Sequence, residues 1–528
     1  MPKALIADAL SDRAREILVA GGVDVDVDPK IDAGRLAEVI DRYDALLVRS
    51  RAQVPAALLE RATRLRIVAR AGAGVDNIDV PAATRRGVFV VNAPGGNTVT
   101  TAEHALAMMM ALARSIPQAT ASLKAGKWEK SRFLGAQLEG ATLGVIGYGN
   151  IGRVVAARGV ALGMRVLVHD RFVSAETITR ADAVCCELPQ LLEQSDFVTI
   201  HVPLTRETRG LIGRAELARM KATARLVHCA RGGIVDEAAL CEALAAGRLA
   251  GAALDVFEAE PPPPDHPLLR LDSVIATPHL GASTVEAQES VALQVAEDVV
   301  RFFRTGTVSA PVNAPRVQAE VRAALAPWLE VSEKLGAFLQ QTSTGGVDRV
   351  TITYSGRRFE RDTALLTATV LKGLLGGLLS QPVNEVNAAL LAEERGLAVV
   401  ENHHATGESA FRDAIRVEVA RGAASRSAEG TVFPDGDRRI VRVDGVLAEV
   451  PVSGHLLILR NNDRPGVVGA VGTILGRRGV NIARMQVGLE PKGGRARSFW
   501  SVDKAVDDEA LGEIRAVENV LEAHPVTL

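Results

Sequence analysis

The chain has 528 residues, about three to four times a typical single-domain length, so several hydrophobic cores are expected rather than one. Its 47% apolar and 23% charged residues are ordinary globular proportions and exclude a mainly disordered or fibrous chain. The charges nearly cancel, 61 Lys and Arg against 63 Asp and Glu for a net charge of −2. No bulk positive field is therefore available to hold nucleic acid, and an anionic substrate would need local arginines.

With 4 Cys in a chain this long, no disulfide framework is expected. Cys185 and Cys186 are adjacent and none of the four has zinc-like spacing, so no metal site is expected and a reduced, cytoplasmic setting is. The opening MPKALIADALSDRARE carries charges at Lys3, Asp8, Asp12 and Arg13, which is wrong for a secretory signal. The most apolar long stretch, 364–380, is broken by Lys372 and several Gly and reads as core rather than as a membrane span.

Short apolar runs at 4–8, 44–50, 66–72 and 88–94 read as strands of βαβ units around a parallel sheet. A helical pattern rich in Ala and Met follows at 98–114 and suits a buried helix between two lobes. A second strand–helix series has strands at 141–147, 165–170, 197–203, 224–230, 251–257 and 273–280, a full doubly wound sheet in its own right. The segment after 283 is helical and is expected to return to the first lobe, which makes that lobe discontinuous. PVNAPR at 311–316 reads as a linker-like interruption. From 317 to 453 the pattern changes, with a strand at 347–356 and a hairpin within 432–454. The last 75 residues follow a βαββαβ order, with Asp463 and Pro465 starting the first helix.

The segment Gly147-Tyr148-Gly149-Asn150-Ile151-Gly152 is a GxGxxG that follows an apolar strand and opens a helix, and the next strand ends at Asp170. Gly147 allows the tight turn, Gly149 lets a pyrophosphate approach the backbone, and Gly152 lets the helix pack on the strand. Asp170 would accept from the adenosine ribose hydroxyls, which favours NAD over NADP; the neighbouring Arg171 weakens that preference. Three later strand ends carry chemistry: CARGGIVDE with Arg231, LDVFEAEPPPP with Asp255 and Glu260, and ATPHLGAST with His279. In a doubly wound sheet these positions line the ligand crevice. Oxidising an alcohol by hydride transfer needs a base for the hydroxyl proton, a partner to steady that base, and a cation for an acidic substrate. His279, Glu260 and Arg231 supply one of each. Asp255 could orient the nicotinamide carboxamide.

These motifs, with RAGAGVDNIDV (70–80), NAPGGNTVTTAEH (92–104) and HVPLTRETRGLI (201–212), resemble the D-isomer-specific 2-hydroxyacid dehydrogenases over most of residues 50–290. The resemblance implies the same roles for Arg231, Glu260 and His279. It also implies cofactor contacts at Asn150, Ile151, Asp170, Cys229, Ala230, Arg231, Asp255, His279, Leu280, Gly281 and Ala282, and substrate contacts at Arg49, Ser50, Gly74, Val75 and Asn97. NNDRPGVVGAVGTILGRRGVNIARMQVG (461–488) looks like an ACT domain, a small regulatory module that binds amino acids at a dimer interface. With the extra domain at 317–453, the chain is similar to the long-form phosphoglycerate dehydrogenase branch of that family.

That branch implies NAD-dependent oxidation of 3-phospho-D-glycerate to 3-phosphohydroxypyruvate, the first step of the phosphorylated route to L-serine. It also implies inhibition by L-serine and a homotetramer. The expected parts are a substrate lobe from 1–97 and 283–316, an inserted Rossmann-type NAD lobe at 98–282, an α+β intervening domain at 317–453 and an ACT domain at 454–528. Arg49 and Arg51 at a strand end, with Lys130 and Arg132 in KWEKSRF, could surround a phosphate; the alternative for Lys130 and Arg132 is ordinary solvated charges. An amino-acid effector would meet Asp463, the backbone at Val467 and Val468, and Asn481. Asn461 stands where some relatives have an aromatic residue. Two other readings stay open: a dehydrogenase for another D-2-hydroxy acid, and a non-enzymatic NAD-binding module like a corepressor.

Overall fold

The structure is a computed structural model that describes residues 1–343, 345–360, 362–379, 381–404, 409–490 and 493–528. The first lobe is a parallel sheet of β1 (Lys3–Ile6), β2 (Asp24–Val27), β3 (Ala45–Val48), β4 (Ile67–Arg70) and β5 (Phe89–Asn92), in the order β2-β1-β3-β4-β5. The sequence reading missed β2. Its DVDV alternation sits at a sheet edge, where a half-solvated strand carries acidic residues at little cost. The helix Val285–Thr305 returns to this sheet, and Val291, Val295, Val299 and Phe302 share a core with Leu18, Ile67 and Val91. The lobe is therefore discontinuous in sequence.

The second lobe is a seven-stranded parallel sheet. Its strands are β6 (Thr142–Ile146), β7 (Arg165–His169), β8 (Val184–Cys185), β9 (Phe197–Ile200), β10 (Arg225–His228), β11 (Gly251–Leu254) and β12 (Val274–Ala276). The order β12-β11-β10-β9-β6-β7-β8 reverses direction between β6 and β9, which opens a crevice at the carboxyl ends of those strands. The buried helix Thr98–Ala113 links the lobes and packs Met108, Met109 and Leu112 with Leu143, Val227 and Ala253.

The third domain is a mixed sheet of β13 (Arg349–Ser355), β14 (Ala398–His404), β15 (Ala414–Arg421), β16 (Ala424–Val432), β17 (Arg438–Val443) and β18 (Val446–Pro451), ordered β14-β13-β15-β16-β17-β18. The expected hairpin is β17–β18. Its two turn residues, Asp444 (φ 47) and Gly445 (φ 81), both take the left-handed conformation that a tight two-residue hairpin requires. The apolar stretch near 364–380 forms the helix Ala364–Gly376, buried against the helix Ala319–Thr342. Among the described residues no helix is long and apolar enough to cross a membrane.

The fourth domain, β19 (His455–Asn462), β20 (Ile482–Leu489), β21 (Arg495–Val502) and β22 (Val520–Thr527), is ordered β20-β21-β19-β22. The residues on one face of its sheet, with Trp500, form a core with its two helices. Leu456, Ile458, Phe499 and Val526 instead join the core of the third domain, so the two share apolar interior. Its first helix starts at Val467 behind a left-handed Gly466 (φ 97), so Pro465 precedes the cap rather than occupying the first turn.

Candidate active site

The glycine loop closes the carboxyl end of β6. Gly147 has φ 94, and a Cβ there would lie 2.7 Å from the His201 carbonyl oxygen. At Gly152 a Cβ would lie 1.9 Å from the Gly147 oxygen, so only glycine lets the helix Asn150–Ala161 seat on the turn. A Cβ at Gly149 would meet no atom within 4 Å, leaving that backbone open to a ligand at the helix N-terminus. Asp170, just past β7, accepts from the backbone N–H of Tyr148 (2.7 Å), Phe172 (2.8 Å) and Val173 (3.0 Å). Burial pushes its carboxyl up, but those three donors outweigh it and hold the group below its usual range.

A cleft of about 750 Å³ lies between the lobes. From the first lobe it is lined by Arg49, Ser50, Gly74, Val75 and Asn97, and from the second by Ile151, Cys229, Ala230, Arg231, Asp255, Glu260, His279, Gly281 and Ala282. His279 follows β12 with φ 54, and its backbone N–H donates to the Asp255 and Thr277 carbonyls. Its Nδ1 lies 2.8 Å from Glu260 Oε2, while Glu260 Oε1 accepts from Phe257 N–H at 3.1 Å. The carboxylate thereby fixes the tautomer with a proton on Nδ1 and leaves Nε2 as the acceptor.

Arg231 donates through Nε to Asp76 Oδ2 (3.2 Å) and through Nη1 to the Ala230 carbonyl (2.7 Å). Beneath it the imidazole of His228 bonds the Arg231 carbonyl oxygen through Nε2 at 2.9 Å. Burial pushes His228 down to about 4, so it is neutral and donates there.

Asp255 is buried and ties the His279 loop together. Its Oδ1 meets Thr277 Oγ1 (2.5 Å), Leu280 N–H (2.7 Å) and His104 Nε2 (3.2 Å), and its Oδ2 accepts from Gly281 N–H (2.8 Å). Oδ2 keeps one acceptor direction for a ligand amide. His104, Cys229 and Asp255 bring their donor atoms within 4.8 Å of one another. Hydrogen bonds already account for His104 and Asp255, and burial pushes the Cys229 thiol far up, leaving it uncharged.

Family models match this chain as "D-isomer specific 2-hydroxyacid dehydrogenase, NAD binding domain" over 106–281, "D-3-phosphoglycerate dehydrogenase intervening domain" over 324–444 and "ACT domain" over 455–519. The D-3-phosphoglycerate dehydrogenase of Archaeoglobus fulgidus is 42% identical over 528 residues, covering 100% of both chains. The chain belongs to the D-3-phosphoglycerate dehydrogenase family. The enzyme of that name from Bacillus subtilis is 42% identical over 490 residues, 92% of each chain. Among solved structures, D-lactate dehydrogenase from Aquifex aeolicus with NAD and lactic acid matches with TM-score 0.53 and 27% identity, over 59% of this chain and 99% of that one.

The chain is thus an NAD-dependent oxidoreductase of the D-2-hydroxyacid class. Its residues fit the cofactor. Gly149 leaves room at a helix N-terminus, Asp170 is ionised just past β7 where an adenosine ribose would be met, and Asn97 Oδ1 is buried beside the cleft without a partner among the described residues.

Several candidates fall elsewhere. The Arg51 guanidinium turns away to Asp8 (3.1 Å) and the carbonyls of Ala7 (2.5 Å) and Ile31 (2.9 Å), so it braces the loop and does not line the cleft. Lys130 and Arg132 lie on the short turn Lys130–Phe133, outside the cleft. Arg132 pairs with Asp272, which precedes β12 and so sits at the opposite end of the sheet from the crevice. Of the effector candidates, Val467 is buried while Asp463, Val468 and Asn481 are exposed, and the Asn481 N–H donates to Asp503 rather than to Asp463.

Three contributors were missed. Arg70, the last residue of β4, lines the cleft and donates to the Arg49 carbonyl at 3.2 Å. Burial first, and then the charge of Arg231, push its guanidinium down. An arginine ending a buried parallel strand is the same signal that singled out Arg231. Asp8 holds the Arg49 backbone N–H at 2.6 Å, and Asp76 holds Arg231.

Proposed function

We propose that this chain oxidises 3-phospho-D-glycerate to 3-phosphohydroxypyruvate, the entry step of the phosphorylated route to L-serine. One observation carries the reading: Arg49, Arg70 and Arg231 open onto the same cleft as the His279–Glu260 pair. A phosphorylated hydroxy acid brings two anionic groups, and three guanidiniums exceed what an unphosphorylated substrate needs.

In this mechanism Arg231, beside the Gly74 and Val75 amides, grips the carboxylate. Arg49 and Arg70 meet the phosphate. His279 takes the hydroxyl proton on Nε2 while Glu260 steadies the resulting imidazolium through Nδ1. When bound, NAD supplies the hydride acceptor. In the reverse direction His279 returns the proton to the carbonyl oxygen.

Initial rates with 3-phosphohydroxypyruvate and NADH, beside hydroxypyruvate and glyoxylate, test the reading. Preference for the phosphorylated substrate supports it. Faster turnover of an unphosphorylated acid selects a different 2-hydroxyacid dehydrogenase, and no turnover by any substrate selects a binding module.

The finer reading adds L-serine as effector at Asp463, Val467, Val468 and Asn481, a homotetrameric assembly and a cytoplasmic setting. Support for self-association comes from exposed apolar side chains along one stretch of the second lobe, Ile116 (51%), Leu123 (59%), Trp128 (84%) and Leu134 (92%). Because the ACT sheet shares a core with the third domain, the clean test of the effector site is Asp463→Ala rather than deletion of the domain. Loss of serine inhibition with turnover retained supports the site; inhibition unchanged refutes it.

A further inference from the structure

We propose that Asp76, on the first lobe, is the positioning residue for Arg231, on the second, so that the substrate-binding guanidinium is aimed only when the two lobes are together. The inference rests on the reading of Arg231 as the carboxylate-binding cation.

A guanidinium has five N–H donors in a rigid planar fork. In Arg231 the Nε donor is used by Asp76 Oδ2 and one Nη1 donor by the Ala230 carbonyl. The Ala230 bond lies within the residue's own loop and survives any movement of the lobes. The Asp76 bond joins the loop after β4 to the loop after β10, so it forms only across the closed cleft. With both in place the fork cannot spin about its last bonds. What remains is one Nη1 donor and both Nη2 donors, a bidentate edge.

That edge lies against Gly74. A Cβ on Gly74 would lie 2.2 Å from Arg231 Nη2 and 2.5 Å from Asp76 Oδ2, so the backbone of the carboxylate-binding loop, the Asp76 carboxylate and the guanidinium are packed together. Asp76 also acts on Arg70: burial and the charge of Arg231 push the Arg70 guanidinium down, and Asp76 opposes them. The acid is therefore a shared counter-charge that lets two like charges face one cleft.

Glu260 does the corresponding service for His279, but from the same lobe. The base is oriented whether the cleft is open or shut. The clamp is oriented only when it is shut.

A carboxylate on Arg231 could instead be a surrogate that substrate must displace, and the two roles predict opposite signs. The full-length Asp76→Ala and Asp76→Asn variants are assayed for NADH oxidation with 3-phosphohydroxypyruvate. NADH affinity by fluorescence and the thermal midpoint are measured beside them. The side-chain pair is part-exposed, 28% for Arg231 and 63% for Asp76, which moderates the effect. We expect KM to rise about three- to tenfold in Asp76→Ala, less in Asp76→Asn, which keeps an acceptor oxygen, with kcat changed less than KM and NADH affinity unchanged.

Arg231→Ala and the double variant Asp76→Ala/Arg231→Ala complete a cycle. The double variant should be no worse than Arg231→Ala alone, because the acid acts through the arginine. An independent, additive loss overturns the proposal, as does a KM that is unchanged or lower in Asp76→Ala while Arg231→Ala is impaired. Unchanged KM in Arg231→Ala overturns the reading of the arginine itself, and the proposal with it.

Discussion

Replacing Glu260 by Gln probes the base at a single hydrogen bond. The carboxylate serves two donors, His279 Nδ1–H through Oε2 at 2.8 Å and Phe257 N–H through Oε1 at 3.1 Å. An amide of the same shape has one acceptor oxygen. If that oxygen stays with Phe257, the NH₂ faces Nδ1 and demands its lone pair. The ring proton then moves to Nε2, the tautomer that cannot accept a hydroxyl proton. If the oxygen turns to His279, Phe257 N–H loses its partner and the imidazolium formed in turnover has only a neutral acceptor.

Hydrogen bonds to a charged group contribute about 1.5–3 kcal/mol, against about 0.5–1.5 for neutral pairs. His279 and Glu260 side chains are 43% and 38% exposed, so solvent screening argues for the lower end of the difference. About 1 kcal/mol off the stabilisation of the transition state corresponds to a loss of roughly fivefold in kcat, and the tautomer penalty extends that towards roughly thirtyfold. The assay is kcat in both directions at saturating substrate, with NADH affinity read by fluorescence as the control. The loss should fall on kcat in both directions while NADH affinity stays within twofold. A kcat within twofold of the parent enzyme would show that Glu260 does not steady the base.

Gly152→Ala places a methyl 1.9 Å from a backbone oxygen, which no side-chain movement can relieve, so the helix must lift off the turn. NADH affinity should fall at least tenfold in a titration, and unaltered affinity would refute the tight seating. Arg70→Met keeps the buried stem without the charge; KM for 3-phosphohydroxypyruvate should rise tenfold or more while KM for glyoxylate changes little, and equal shifts for both would remove Arg70 from phosphate recognition. His228, almost fully buried, is pushed down to about 4 chiefly by burial. In the unfolded chain it takes a proton below about pH 6.5, so the stability it contributes is full above that pH and is lost as pH falls towards its folded value. Going from pH 7.5 to 5 should cost roughly 2 kcal/mol through this histidine, and His228→Asn should remove that share of the acid sensitivity in denaturant melts; an identical acid response would contradict the neutral, buried assignment.

The doubly wound lobes were legible because buried parallel strands are nearly continuous apolar runs, as in ALLV and TLGVI, and because their carboxyl ends must hold the site. What the pattern concealed follows from the same physics. β14, β15 and β16 carry ENHH, RVEVAR and SRSAE, since a strand with one solvated face or a free edge tolerates charge, and their periodicity was too weak to read. Arg70 disappeared into the apolar text RIVARAG. Arg51 stands two residues beyond Arg49 and past the strand end, where the loop turns and aims it at Asp8, so within this chain it does not line the cleft. Lys130 and Arg132 lie outside this chain's own cleft, because composition announces a cation but not which end of a sheet it reaches; Asp272 pairs with Arg132 through the connection preceding β12.

The placement of the site's carboxylates separates chemistry from recognition. Glu260, Asp255 and Asp170 all belong to the second lobe, where they fix the base, its loop and the glycine turn, so that half of the site is complete in one rigid sheet. Asp8 and Asp76 belong to the first lobe and hold Arg49 and Arg231, the cations proposed above to meet the substrate. The third domain holds that same lobe near its substrate loop: Asn384 Nδ2 donates to the Gly87 carbonyl at 2.7 Å and Asn387 to that of Arg85 at 3.3 Å, at the end of the helix Val80–Arg85 that follows Asp76. Among the described residues the third domain is thus tied to the lobe that carries Asp8 and Asp76, and not to the sheet that carries Glu260, Asp255 and Asp170, so the contacts that orient the cations and those that orient the base belong to different parts of the chain.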